Sequence, residues 1–161
     1  TQPVRMDMAS GQIVAFYLAA YLPTTMLAFL VLCVVRSQLD NEEIDALDGL
    51  GKRSPLLALI LIVAMMSLAG IPLTVGFLGK FYVFQAALDQ GHYTALAVAI
   101  IGAAAGFYYY FKVIRSMYWN APSDDAIAVV PGLGTKVLLI ALAVATIFLG
   151  LNQGIILDFL R

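Results

Sequence analysis

Lys80 is the residue whose position asks for chemistry. It lies in the apolar run Ser67 to Phe84, SLAGIPLTVGFLGKFYVF, eight residues after Pro72 and nine before Asp89, the nearest acid. An ammonium at the middle of a bilayer costs about 3 kcal/mol on insertion scales, so a lysine there must face protein or internal water. A lysine so placed can give up and retake a proton as its surroundings change. The spacing predicts a buried proton-relay lysine whose ion-pair partner, if it has one, sits on another helix or another chain. The competing reading is that Lys80 snorkels to an interface. It would have to bridge about 12 Å of helical rise from the turn at 89–92, which favours the relay.

Gly70 and Pro72 stand ahead of this lysine. Pro72 lacks an amide hydrogen and clashes with the carbonyl four residues back, and Gly70 lowers helix propensity, so the run should break there into two half-helices. Breaks at membrane depth are tolerated only where protein or water satisfies the freed backbone groups, and in transporters they mark ion sites. Ser67 and Thr74 flank the break and either line a water path or simply pack. His92 is either a proton-carrying group at a channel mouth or an ordinary turn residue. Lys112 and Arg115, three residues apart, read as topology anchors, with Lys112 the possible further relay. Thr24 and Thr25 follow Pro23 and are placed to answer the backbone group that Pro23 frees, or to pack. Gly102 and Gly106 have the spacing of a helix-packing pair. The single cysteine, Cys33, reads as a small hydrophobe. No cluster of His, Cys, Asp or Glu has metal-ligand spacing, no nucleophile triad is visible, and Gly49-Leu50-Gly51-Lys52 lacks phosphate-loop spacing. No cofactor is expected on this chain.

The elements that must position these residues are membrane helices. The 161 residues are 62% hydrophobic and 12% charged, with a mean hydropathy of +0.93, outside the balance of a soluble domain. A net charge of -1, without basic residues interleaved among aromatics, argues against nucleic acid. The chain begins without Met, as a piece of a longer protein or a processed product would. Four apolar stretches, about 11–35, 55–88, 93–119 and 133–157, are each long enough to cross a bilayer. The fold expected is all-α and polytopic, one membrane domain over 1–161, with the second of four transmembrane helices broken near Gly70 and Pro72. Between the helices lie an acidic loop from Gln38 to Arg53, a tight turn at 89–92 and a Pro- and Gly-punctuated loop from Asn120 to Gly134. Arg36, Lys52, Arg53, Lys112, Arg115 and Lys136 fall at the first and third connections, against Arg5 and Arg161 on the other side. That excess predicts cytoplasmic first and third connections, with both ends periplasmic.

The stretch 67–84, with Lys52-Arg53-Ser54-Pro55-Leu56 before it and Ala105-Gly106-Phe107-Tyr108-Tyr109-Tyr110-Phe111-Lys112-Val113 after it, resembles the C-terminal part of the antiporter-like subunits of bacterial respiratory complex I, the N type in particular. The resemblance covers nearly the whole chain. It implies the last four of fourteen membrane helices in a bacterial inner membrane, and the role of terminal proton-channel lysine for Lys80. It also implies that NADH, FMN, iron-sulfur clusters and quinone act elsewhere in the complex. The implied partners are the rest of the N subunit, a neighbouring antiporter-like subunit, other membrane subunits and the bilayer. In the first helix the chain has Leu22-Pro23-Thr24-Thr25 where relatives often carry an aromatic and an Asn. Two alternatives to a complex I proton-channel segment are a subunit of a multisubunit sodium/proton antiporter and a non-catalytic membrane scaffold.

Overall fold

The computed structural model describes residues 10–39, 44–122 and 128–152, and every regular element in it is helical. Helix α1 (Ser10–Leu39) runs through Pro23 without interruption. A 3-10 turn (Ile44–Leu47) and the short α2 (Leu50–Arg53) lead into α3 (Pro55–Ala69), which starts with Pro55 in its first turn, where the missing N–H costs nothing. After five residues comes α4 (Val75–Asp89), then α5 (Tyr93–Trp119) and α6 (Leu133–Leu151). Among the described residues, three helices are long and apolar enough to cross a membrane: Gly11–Gln38 within α1, then α5 and α6. The second apolar stretch is the broken helix that Gly70 and Pro72 call for.

The unbroken α1 is the spine against which the two halves of the broken helix pack. Its C-terminal half sets Leu27, Ala28, Val31 and Val35 into one core with Leu57, Leu61, Ala64 and Leu68 of α3, joined by Leu139 and Ala143 of α6. Its N-terminal half sets Ile13, Phe16 and Ala20 against Val75 and Tyr82 of α4. The Phe16 and Tyr82 rings meet edge to face at 4.9 Å, a geometry that suits the ring quadrupoles. Gly79 lets α1 come close, since a Cβ there would lie 3.2 Å from the Tyr17 ring.

The acidic loop between Gln38 and Arg53 is partly core. Ala46, Leu47 and Leu50 are buried with Met117 and Val129 in the larger cluster. Charges dominate that stretch by number, but Ala46, Leu47 and Leu50 recur at intervals that one short helical face can bury. The first and third connections meet at one end of the bundle. The Gly49 amide donates to the Ser116 carbonyl at 3.2 Å. Ser116 and Asn120 both donate to Asp48. The Ser54 hydroxyl donates to the Val129 carbonyl at 2.6 Å and receives the Val129 amide at 2.8 Å, and Gln38 makes the same two-way pairing with Val130.

The outer sides of α5 and α6 are apolar and open: Ile101 is 69% exposed and Leu133 80%. Contrary to the packing expected of Gly102 and Gly106, a Cβ at Gly102 would meet nothing within 4 Å and one at Gly106 only Tyr110. Gly150 on α6, by contrast, is in close contact, since a Cβ there would collide with the backbone of Leu73 and Thr74 in the break. Gly150→Ala is expected to lower stability by about 1–3 kcal/mol through overpacking, read as a lowered unfolding midpoint in mild detergent, whereas Gly102→Ala should not lower the midpoint.

Candidate functional site

The break between α3 and α4 is built from a sequence of backbone obligations. An α-helix ends with four carbonyls lacking intrahelical partners; in α3 these belong to Met66, Ser67, Leu68 and Ala69. Gly70 takes the left-handed conformation (φ 84°, ψ 41°), which only glycine adopts without cost. Its amide then reaches the Ser67 carbonyl at 3.0 Å and the Ile71 amide reaches Met66 at 3.0 Å, the paired bonds of a Schellman end. Pro72, exposed and without a donor, prevents the helix from resuming at once. Leu73 follows at φ 79°, a conformation that costs a non-glycine residue roughly 1–2 kcal/mol. The Thr74 hydroxyl donates back to the Ile71 carbonyl at 2.7 Å.

Two carbonyls remain, and Lys80 satisfies both. Its Nζ donates to the Leu68 oxygen at 2.7 Å and to the Ala69 oxygen at 3.2 Å. The ammonium thus sits on the negative pole of α3, where a cation is favoured. Its stem passes over Gly70, where a Cβ would come within 3.1 Å of Lys80 Cδ.

Beside this clamp runs a row of hydroxyls. The Gly76 amide donates to Ser67 Oγ at 3.2 Å, Ser67 Oγ and Thr24 Oγ1 lie 3.0 Å apart, and Thr24 Oγ1 donates to the Ala20 carbonyl at 3.3 Å. Thr24 and Ser67 are buried. Gly76 has no room for a side chain, because a Cβ would run into the Ser67 carbonyl. Thr25, the other hydroxyl after Pro23, is buried at its oxygen without a hydrogen-bond partner. A cavity of about 10 Å³ lies among Tyr17, Tyr21, Thr24, Ser67 and Lys80, at the lower limit of what one water needs.

This geometry corrects the expectation of a buried relay lysine. Among the described residues no Lys, Arg, His, Asp or Glu is buried, and Lys80 is half-buried. Its side chain turns back to the carbonyls at the end of α3 instead of entering a low-dielectric interior, and the space beside it is no channel. Gly70 and Pro72 hold the places the sequence assigns them. His92 is exposed at the start of α5, its amide on the Ala87 carbonyl at 2.8 Å. Lys112 is exposed and lines a separate cavity on α5. Lys80, His92 and Lys112 therefore do not form one constellation in this chain. Sequence reasoning missed the clamp and the direct Thr24–Ser67 contact; counting the carbonyls that a break after Ala69 must leave would have pointed to the clamp.

A continuous spine packed on a broken helix, with a polar clamp at the break, defines a membrane subunit of the antiporter-like class. Residues 4–106 match the family described as NADH:quinone oxidoreductase/Mrp antiporter, TM, and the chain belongs to that family. It is 40% identical over 149 residues to the NADH-quinone oxidoreductase subunit N of Brevibacillus brevis, covering 92% of this chain and 29% of that protein. It is 44% identical over 147 residues to subunit N 2 of Syntrophobacter fumaroxidans, covering 89% of this chain and 31% of that one. The chain thus spans about three-tenths of the length of these relatives. Among solved structures it is similar to respiratory complex I from Thermus thermophilus with bound aureothin, at a TM-score of 0.79 and 34% identity over 92% of this chain and 34% of that one. The Mrp complex from Dietzia sp. shares the fold at a TM-score of 0.74 and 22% identity, over 92% of this chain and 36% of that one.

Lys80→Met removes the donor from two carbonyls at a helix end and is expected to cost about 2–3 kcal/mol, seen as a lowered unfolding midpoint. Lys80→Arg, which keeps a charged multi-donor head, should recover most of that loss. Equal midpoints for Lys80→Met and the parent would rule out the clamp.

Proposed function

We propose that this chain is the C-terminal segment of an N-type antiporter-like subunit in a bacterial proton-translocating NADH:quinone oxidoreductase. The observation that carries the reading is the clamped break, in a chain 34% identical to its complex I counterpart across 92% of its length. In this reading the segment contributes no redox chemistry. NADH, FMN, iron-sulfur clusters and quinone belong to other parts of the assembly, and its partners are the rest of the subunit, the neighbouring antiporter-like subunit and the bilayer. The likeness to the Mrp complex supports the fold alone, and a subunit of a multisubunit sodium/proton antiporter is the second reading.

Four spans fit the helices if α3 and α4 count as one. Each has 15 residues, about 22 Å of rise, short of a hydrocarbon core of about 30 Å. The first and third connections are proposed to be cytoplasmic, as the basic residues Arg36, Lys52, Arg53, Lys112, Arg115 and Lys136 favour. Their hydrogen bonds to each other support a common side. Arg5 and Arg161, the counterweights in that comparison, lie outside the described residues.

The break is proposed as the working part of the segment. It holds a charge, paired hydroxyls and an unwound backbone within an otherwise apolar bundle, and Lys80 keeps this arrangement open by holding α3's end. Forcing a β-branched side chain into the left-handed position with Gly70→Val should disturb the break and lower the protons moved per NADH oxidised several-fold in inverted membrane vesicles. The quinone reduction rate measured with an uncoupler should hold. An unchanged proton stoichiometry in a correctly assembled variant would overturn the role of the break. Sodium-dependent proton exchange in vesicles without NADH would favour the antiporter reading instead.

A further inference from the structure

A cavity of about 410 Å³ lies away from the break, along the C-terminal third of α5. Tyr108, Phe111, Lys112, Ile114, Arg115 and Trp119 line it. Tyr108 is 67% exposed and Trp119 76%. Lys112 and Arg115 are exposed, and neither has a hydrogen bond or ion pair among the described residues. α5 itself carries no acid over its 27 residues. Asp48, which reaches this end of the helix, is held by Ser116 and Asn120, and Ser116 lies on the buried side.

Depth decides what fits such a face. A helix of 27 residues is about 40 Å long, so centred on a hydrocarbon core of about 30 Å it leaves roughly three residues outside at each end. That puts Trp119 in the headgroup layer, where its ring is favoured, Arg115 at the boundary, and Lys112 about one turn deeper. Two cations at this level with no acid paired to them among the described residues, and with aromatic and aliphatic surface continuing toward the bilayer centre, complement a phosphate above an acyl chain. A protein partner would have to bring acids to the same depth, where they are costly; a lipid phosphate is already there.

We propose that this face of α5 binds one anionic phospholipid, its phosphate between Lys112 and Arg115 and an acyl chain along Phe111 and Tyr108. The site is separate from the break, and it rests on the reading of this chain as a membrane segment of a larger subunit. The test titrates the full subunit, purified in mild detergent, with phosphatidylglycerol or phosphatidylcholine and counts bound lipid by native mass spectrometry. Phosphatidylglycerol is expected to bind preferentially, and Lys112→Gln combined with Arg115→Gln to weaken it by roughly tenfold to thirtyfold. Lys136→Gln should leave it unchanged. Equal binding of the two lipids, or full retention in the double variant, would overturn the site. Because the double variant could disturb folding, a photo-crosslinking phenylalanine analogue at Tyr108 in native membranes gives a second readout. A lipid adduct supports the proposal, and a crosslink to polypeptide refutes it.

Discussion

The structure depends on one constraint: a helix that stops inside an apolar bundle must find partners for the carbonyls at its end. Water answers this need cheaply at a soluble surface, but in hydrocarbon an unanswered group costs several kcal/mol. Here the four carbonyls are shared out. Two go to amides that Gly70's left-handed turn redirects, and two go to the ammonium of Lys80, contributed by the very helix that the break begins. The cation and the break are therefore one unit, in which the break supplies acceptors and the lysine supplies donors.

Much of the surrounding packing follows from keeping that unit in place. α1 stays unbroken and binds both halves, so their relative position is fixed by one rigid element. Small residues stand where backbones must approach: Gly79 beneath α1, Gly76 against the Ser67 carbonyl, Gly150 against the link. At the opposite end of α3 the closure is polar, with Ser54 on Val129 and Arg53 on the carbonyls of Ala46 and Asp48. Both ends of α3 are thus held by side chains that reach across the sequence, a short-range means of anchoring a helix that gains no hydrophobic selectivity from lipid around it.

The helices and the break were legible because their signals are local. A Pro and a Gly in a run too long for one span dictate a stop, and 93–119 in sequence is the helix observed. The site was half legible. Ser67 and Thr74 stood out beside Pro72, but the partner of Ser67 lies 43 residues away on α1, and nothing in spacing alone brings those two together. Lys80 misled because a charge in an apolar run looks the same whether its head goes to an interior or to a helix end, and the choice rests on where the other half-helix points. The buried Leu47 and Leu50 were hidden by the acids around them.

The hydroxyl row beside the clamp ends on backbone groups of opposite kind. It starts at the Gly76 amide, which can only donate, and finishes at the Ala20 carbonyl, which can only accept. Either hydroxyl can donate in the Thr24–Ser67 contact; when Thr24 donates to Ala20, Ser67 can donate to Thr24, and each oxygen then gives once and takes once in a single order. Relaying a proton by successive hops would require that order to reverse afterwards, with a terminal group able to surrender its hydrogen, and a backbone amide is not one. The row is a short dipole chain between two backbone groups, polar enough to stabilise a break in an apolar bundle.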